Sequence, residues 1–428
     1  MKARGFFVWL HRWVGLLMAG FLIVVGLTGS LLAFNMELER VFAPQLFAGA
    51  RPGAQPLGLG ALAESAGSLV PQGRVMYLSR SAEDQIKVYF EPREDSATGK
   101  PYDLGFTELF LDPYSGAELG RRRNADLSQG LVNLMPFIYD LHWRLALGDI
   151  GQWILGVIAL AWTIDCFAAF YLTLPQTTAS FWRRWKPAWL VKRNGGFYRL
   201  NFDLHRAPGL WLWALLSIFA WSSVMMDMRR PVYEWVMGHL FDFSSRLEEI
   251  DNPAKPQGAN PKLDWRSAEA KGRSLLDELA ARRGFAVGAP ISMSYQATYN
   301  LYSYEARTSA DIVDQGRWTG GVFVSFDGDS GAPLKFTEPH DARLGNTIEN
   351  WLYALHMGLV FGMPYRLLVC ALGLVIVLLS GTGIYIWWKK RAARLQSGRG
   401  PGPAAKRSPK TVARKSSSRD PRHESAQQ

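Results

Sequence analysis

His11-Arg12-Trp13-Val14-Gly15-Leu16 opens a long apolar run, and in the second half of the chain His205-Arg206-Ala207-Pro208-Gly209-Leu210 opens another with His, Arg, Gly and Leu in the same places. A second motif repeats in the same order. Leu141-His142-Trp143-Arg144-Leu145-Ala146-Leu147-Gly148 leads into one apolar run, and Leu355-His356-Met357-Gly358-Leu359-Val360-Phe361-Gly362 leads into the last. Four histidines at the ends of four apolar stretches, in two matched sets, point to a duplicated membrane protein with its histidines in pairs.

Working outward, runs of about 20 residues, long enough to cross a bilayer, extend from Trp13 to Phe34, Gln152 to Pro175, Ala207 to Met226 and Leu367 to Trp388. Only Asp165 interrupts the second. The 428-residue chain is 48% hydrophobic with 17 Trp, yet its mean hydropathy is -0.04, so large polar regions must stand beside these runs. The expected plan is membrane α+β: a four-transmembrane-helix bundle from two tandem repeats, each carrying an outer α+β domain. Its helices occupy 1–34, 141–175, 205–227 and 350–390, with outer domains at 35–140 and 228–349, a link at 176–204 and a tail at 391–428.

Lys and Arg bias sets the orientation. The link carries Arg183, Arg184, Lys186, Lys192, Arg193 and Arg199 against one acid, Asp203, and should face the cytoplasm. The N-terminus (Lys2, Arg4) and the tail from Lys389-Lys390-Arg391 then lie on the same side, and both large domains lie outside. The formal charge of +11 belongs to that inner side, facing lipid headgroups, and no nucleic-acid partner is expected. The first run reads as a retained anchor, because its core is too long for a signal peptide and no small-residue cleavage site follows Phe34-Asn35-Met36. Cys166 and Cys370 lie inside apolar runs at different depths and imply no disulfide. No Cys-x-x-Cys-His occurs, so a haem here would be held without covalent attachment.

The outer regions repeat too. A helix from Leu57 to Leu69 precedes strands at Arg74 to Ser79, Ile86 to Phe90 and Glu108 to Leu111, with a turn and last strand over Asp112 to Leu119. In the second half a helix from Arg266 to Arg282 precedes strands at Ile291 to Tyr295, Leu301 to Ala306 and Val322 to Ser325, with a closing turn over Asp327 to Leu334. Ser-Gly-Ala-x-Leu recurs at Ser115 to Leu119 and Ser330 to Leu334. Asn252 to Pro261 reads as a loop. The tail from Arg394 to Gln428 has almost no large apolar residue and is expected to be disordered.

If the first and third runs both travel outward, His11 and His205 share the inner end, and His142 and His356 share the outer end. A haem iron takes one axial nitrogen from each side at about 2 Å. That geometry suits diagonal helices of a bundle, whose axes stand at roughly 1.4 times the 8–10 Å of neighbours. Two b-type haems are therefore expected, with iron ligands His11 and His205 for one and His142 and His356 for the other. Another metal, a proton relay, or for any single residue a snorkelling interfacial histidine are the competing readings.

Arg12 and Arg206 follow the inner histidines, where guanidinium could pair with haem propionates or simply anchor the inner face. The glycines of the runs let a macrocycle or a neighbouring helix come close, helix packing being the commoner cause. Asp165 is costly in a span. It could accept a hydrogen bond from an inner histidine, take part in proton uptake near a quinol, or pair with a neighbouring side chain; its depth leaves a bond to His11 open. The Trp residues at the ends of the runs read as aromatic belts. His239, His340 and His423 are weaker candidates, with His340 placed to assist an outer site.

The set His11 to Leu16, Thr28-Gly29-Ser30-Leu31-Leu32-Ala33-Phe34-Asn35, Asn201-Phe202-Asp203-Leu204-His205-Arg206, Leu355-His356-Met357-Gly358 and Thr382-Gly383-Ile384-Tyr385-Ile386-Trp387-Trp388 resembles the PepSY-associated transmembrane family of bacterial inner-membrane proteins. The resemblance covers residues 1 to about 390. It implies that the outer domains are PepSY-like and periplasmic, and that the chain is a ferrisiderophore reductase, its acceptor a ferric siderophore and its donor a cytoplasmic reductase or the quinol pool. One departure stands out: the second span ends Thr163-Ile164-Asp165-Cys166 through Tyr171-Leu172-Thr173-Leu174-Pro175, where many relatives show a Thr-Gly-aromatic-Trp ending like that of the fourth span. Nothing after Trp388 resembles the flavin reductase domain fused to some relatives, so the donor is expected to be external. The reading from another class is a non-redox, PepSY-type peptide-binding or regulatory membrane protein, which leaves the four histidines without a role. A transporter is a third reading, for which the intramembrane polar content is thin.

Overall fold

In the computed structural model, residues 3–49, 51–244, 260–314, 320–338 and 343–398 are described. Helix α1 (Ala3–Leu32) is followed by α2 (Asn35–Phe42), α3 (Leu59–Leu69), strands β1 (Gly73–Ala82), β2 (Gln85–Pro92), β3 (Glu108–Leu111) and β4 (Glu118–Arg122), and helices α4 (Leu134–Arg144) and α5 (Gly148–Thr173). The basic link holds α6 (Phe181–Trp185). The second half runs α7 (Phe197–Trp211), α8 (Trp213–Asp227), α9 (Trp235–Leu240), α10 (Trp265–Arg283), β5 (Val287–Gln296), β6 (Leu301–Thr308), β7 (Val322–Asp327), β8 (Pro333–Thr337), α11 (Leu344–His356) and α12 (Gly362–Gly398).

Among the described residues three helices are long and apolar enough to cross a membrane: Ala3–Leu32, Gly148–Thr173 and Gly362–Leu395. The third apolar run does not form the single helix expected over 205–227. It breaks at Leu212, and α7 and α8 meet at 72°. Pro208, which lacks an N–H, and Gly209 weaken the last turn of α7, and Leu212 leaves helical geometry at φ -102°, ψ 9°.

The boundaries at 141 and 350 also change, because His142 and His356 end short helices of their own, α4 and α11, and do not open the spans. Left-handed backbone at Leu145, Ala146 and Gly148, and again at Gly358, Phe361 and Gly362, turns the chain between each short helix and the span after it. The repeated Leu-x-x-Gly spacing therefore marks a helix break, and glycine is there for its positive φ.

The helices pack through small residues. A Cβ on Gly26 would stand 2.7 Å from the carbonyl oxygen of Gly373, so α1 and α12 touch backbone to backbone, and Ser30 Oγ donates across this contact to the Cys370 carbonyl at 2.9 Å. Helix α5 packs on both α1 and α8. Gly209 of α7 faces Leu379 of α12.

Two separate outer domains are expected from the sequence; the structure has one antiparallel sheet of eight strands in the order β4-β3-β2-β1-β5-β6-β7-β8. β1 of the first half pairs with β5 of the second, Tyr77 opposite Ser294, Leu78 opposite Met293 and Ser79 opposite Ser292. Each four-stranded unit alone would leave an edge of unpaired N–H and C=O groups, and joining the edges satisfies both. Helices α3 and α10 cover one face over a shared apolar core that includes Leu59, Leu62, Leu78, Ile86, Leu276, Met293 and Phe326. They are tied together as well. The Glu269 carboxylate of α10 accepts from the Leu59 and Gly60 N–H groups at 3.0 and 2.8 Å, neutralising the N-terminal end of α3.

The strands themselves fall where the sequence places them; β3 has the expected bounds, while β1, β2, β5, β6 and β7 each run a residue or more longer than expected. Most of the loop at 252–261, His340, His423 and the tail from 399 lie outside the described residues. Residues Trp387–Gln428 form a second unit, within which α12 continues to Gly398.

Candidate functional site: two facing histidine pairs

His11 lies on α1 and His205 on α7, with ring centres 5.9 Å apart and planes at 49°. His142 on α4 and His356 on α11 face each other at 6.4 Å and 63°. Both separations exceed hydrogen-bonding contact. They are what two imidazoles need on opposite sides of one iron: an Fe–N bond of about 2 Å plus a ring radius of roughly 1.1 Å, taken twice, puts the centres about 6 Å apart. Among the described residues no cluster of three or more His, Cys, Asp or Glu could hold a bare metal ion. Two facing imidazoles could serve only a metal whose other ligands come from elsewhere.

The hydrogen bonds behind the rings fix the tautomer. His11 Nδ1 lies 2.9 and 3.0 Å from the two Asp165 oxygens of α5, and His205 Nδ1 lies 2.9 Å from the Leu379 carbonyl and 3.2 Å from Thr382 Oγ1 of α12. His142 Nδ1 meets Thr28 Oγ1 of α1 at 2.9 Å, and His356 Nδ1 meets Ser222 Oγ of α8 at 2.7 Å. Carboxylate and carbonyl can only accept. The hydroxyls also accept here, since Thr28, Ser222 and Thr382 already donate to the carbonyls of Val24, Phe219 and Leu378. All four rings therefore carry a proton on Nδ1, an assignment made from acceptor chemistry.

Glycines make room for two of the rings. A Cβ on Gly29 would stand 2.9 Å from His142 Cε1, and one on Gly383 would stand 3.2 Å from His205 Cε1. Thr28-Gly29 and Thr382-Gly383 are thus one device used twice: the threonine accepts from Nδ1, and the glycine admits the ring.

Around His142 and His356 opens a cavity of about 680 Å³, within the range of about 300–1,000 Å³ typical of cofactor sites. Val25, Gly29, Leu155 and Phe219 line its helix end, and Phe323 and Glu338 line the sheet end. Phe219 stacks on His356 at 4.9 Å. From His11 to Thr28, which holds His142, α1 rises about 25 Å at 1.5 Å per residue, so the two pairs stand near opposite ends of the span.

The other sequence candidates divide. Arg206 bonds Asp203 at 2.8 Å and the Pro187 carbonyl at 2.6 Å through one guanidinium nitrogen, which ties α7 to the basic link, while its Nε is buried with no partner among the described residues. Arg12 makes no hydrogen bond or ion pair among the described residues. Exposed His239 donates to its own helix at the Trp235 carbonyl and lies over the Trp235 ring, a local structural role. His340 falls outside the described residues. Sequence reasoning missed Ser222, since a lone serine in an apolar helix gives no signal. Thr28 and Thr382 stood within quoted motifs, but their function as acceptors needed the fold.

A mixed helix and sheet protein with apolar spans and paired, backed histidines at their ends defines a class of membrane protein. The description PepSY-associated TM region fits residues 8–390, which include all four histidines, and the chain belongs to that family. Comparison with curated proteins gave no match.

Proposed function

We propose that this chain is a b-type dihaem electron-transfer protein of the bacterial inner membrane that reduces a periplasmic ferric siderophore with electrons from a cytoplasmic reductase or the quinol pool. The single observation that carries the proposal is the pair geometry: two facing imidazole pairs with ring centres 5.9 and 6.4 Å apart, each ring held at Nδ1 by an acceptor behind it. Helix contacts of α1 with α5 and α12, and of α8 with α5, support a four-helix bundle built from two tandem repeats with α7 and α8 as one bent span. The basic link supports cytoplasmic termini and a periplasmic sheet.

When bound, haem supplies one-electron redox chemistry that no side chain here offers. His11 and His205 would hold it at one end, and His142 and His356 at the other. Asp165, Leu379, Thr382, Thr28 and Ser222 orient the rings and keep Nε2 basic. The apolar cavity wall would keep water from the outer pair, and the Arg12 guanidinium, without a partner among the described residues, would be the group to pair with a propionate at the inner one. The siderophore is substrate. Its oxygen donors favour the small, highly charged ferric ion, so adding one electron loosens the iron. The non-redox PepSY reading gives no account of four histidines in one tautomer.

Oriented proteoliposomes, reduced from the inner face and mixed in stopped flow with a ferric hydroxamate on the outer face, test the proposal. Reoxidation should follow in the native protein and stop in His356→Ala. Equal rates in both would exclude the outer pair as the exit.

A further inference from the structure

Three of the four histidines are backed by neutral acceptors: a carbonyl with a hydroxyl at His205, and one hydroxyl each at His142 and His356. His11 alone is backed by a carboxylate, with both Asp165 oxygens within 3.0 Å of its Nδ1. The difference sits at one position of the repeat. By the spacing that relates His142 to His356, Asp165 corresponds to Leu379, whose backbone carbonyl serves His205. The Thr-Gly device that α12 supplies there is missing from α5, which has Ala168-Ala169 in its place. Asp165 is 6% exposed, and its ion pair among the described residues is with His11 alone. A buried acid within an apolar helix is costly and is retained where it has a use.

We infer that Asp165 is a positioning residue that makes the His11–His205 site the more reducing of the two, and so directs electrons from the basic-link end toward the sheet. This rests on the dihaem reading above. A carboxylate accepts the Nδ1 proton more strongly than a carbonyl or hydroxyl, since charge-assisted hydrogen bonds are roughly twice as strong as neutral ones. The ring it holds takes on imidazolate character and donates more electron density through Nε2. That donation stabilises ferric over ferrous iron and lowers the reduction potential. No such donor backs His142 or His356, so the outer site keeps the higher potential and an electron runs downhill to it. One electron is lost at the inner site and gained at the outer, and no proton need move between them.

Potentiometric titration of the purified holoprotein, followed by visible spectra, reads the two midpoints. In Asp165→Asn, which keeps the shape and removes the charge, the lower midpoint should rise by the equivalent of at least tenfold in the equilibrium constant, 59 mV for one electron. The upper midpoint should hold, and one of the two low-spin ferric EPR signals should move. His11→Ala, which empties the inner site, should leave a haem that titrates at the higher midpoint, and this arm decides the matter if Asp165→Asn loses its inner haem. Unmoved midpoints in an Asp165→Asn protein with both haems, or a surviving lower midpoint in His11→Ala, would overturn the inference while leaving the dihaem reading intact. A protein with no haem, counted separately by pyridine hemochrome, would overturn both.

Discussion

Each histidine of the site is set by a small number of atoms, and the consequences can be read one side chain at a time. His11→Ala or His205→Ala should remove one haem and leave the other, while His142→Ala or His356→Ala should remove the second; haem-to-protein ratio by pyridine hemochrome checks the pairing. If His11→Ala and His142→Ala emptied the same site, the pairing would be wrong. Thr28→Val removes the hydroxyl acceptor behind His142 and leaves the Val25 carbonyl as the partner of its N–H, a cost of about 0.5–1.5 kcal/mol. Outer-site haem retention should fall about 10- to 100-fold, the usual effect of losing such a partner, with the inner site unchanged, as measured by haem transfer to an apoprotein acceptor. The repeated His motifs were legible because two different motifs, each recurring once with its spacing kept and in the same order, rarely coincide. The depth of Asp165 was harder to judge from the sequence. His11 sits eight residues inside the start of α1 and Asp165 eight residues before the end of α5, so both lie about 12 Å from the same end and meet.

Helices and strands show where local sequence runs out. Period-two alternation located the strands, but the turns at Gly148 and Gly362, the bend at Leu212 and the separate α4 and α11 were not read from it, since they depend on backbone and packing that hydropathy cannot express. One element junction has a clear pH signature. Arg122 at the end of β4 bonds Glu39 of α2 and Glu108 of β3, each at 2.5 Å, and Lys87 of β2 stands 3.3 Å from Glu108. Burial alone would raise the Glu108 carboxyl, but Lys87, Arg122 and the Tyr89 hydroxyl outweigh it and hold it down at about 2. A carboxyl depressed in the folded state stabilises fully above its unfolded value of about 4.3 and loses that contribution as pH falls toward 2. Glu108→Gln should therefore be less stable than the native protein at pH 7 and converge with it as pH drops through this window, as followed by thermal unfolding in detergent.

At the scale of the whole molecule the two halves share one sheet and one core, a single body that meets the cavity around His142 and His356. The sequence showed two copies of an α+β unit. It could not show that β1 and β5 pair, because edge-to-edge joining is written in no single strand but in what each edge lacks. The proposed orientation predicts that a reporter fused after Gly120 or Asn260 is active in the periplasm and one fused after Lys192 is not; the reverse pattern would place the sheet in the cytoplasm and end the siderophore proposal. The central claim is more direct than topology. It is that the two facing pairs each bind a haem, and a dithionite-reduced minus oxidised visible spectrum of the protein purified from haem-replete cells, with its pyridine hemochrome count, measures this. Two low-spin b-type haems per chain are predicted. A spectrum without haem bands, or high-spin haem bound by one histidine, would contradict the account.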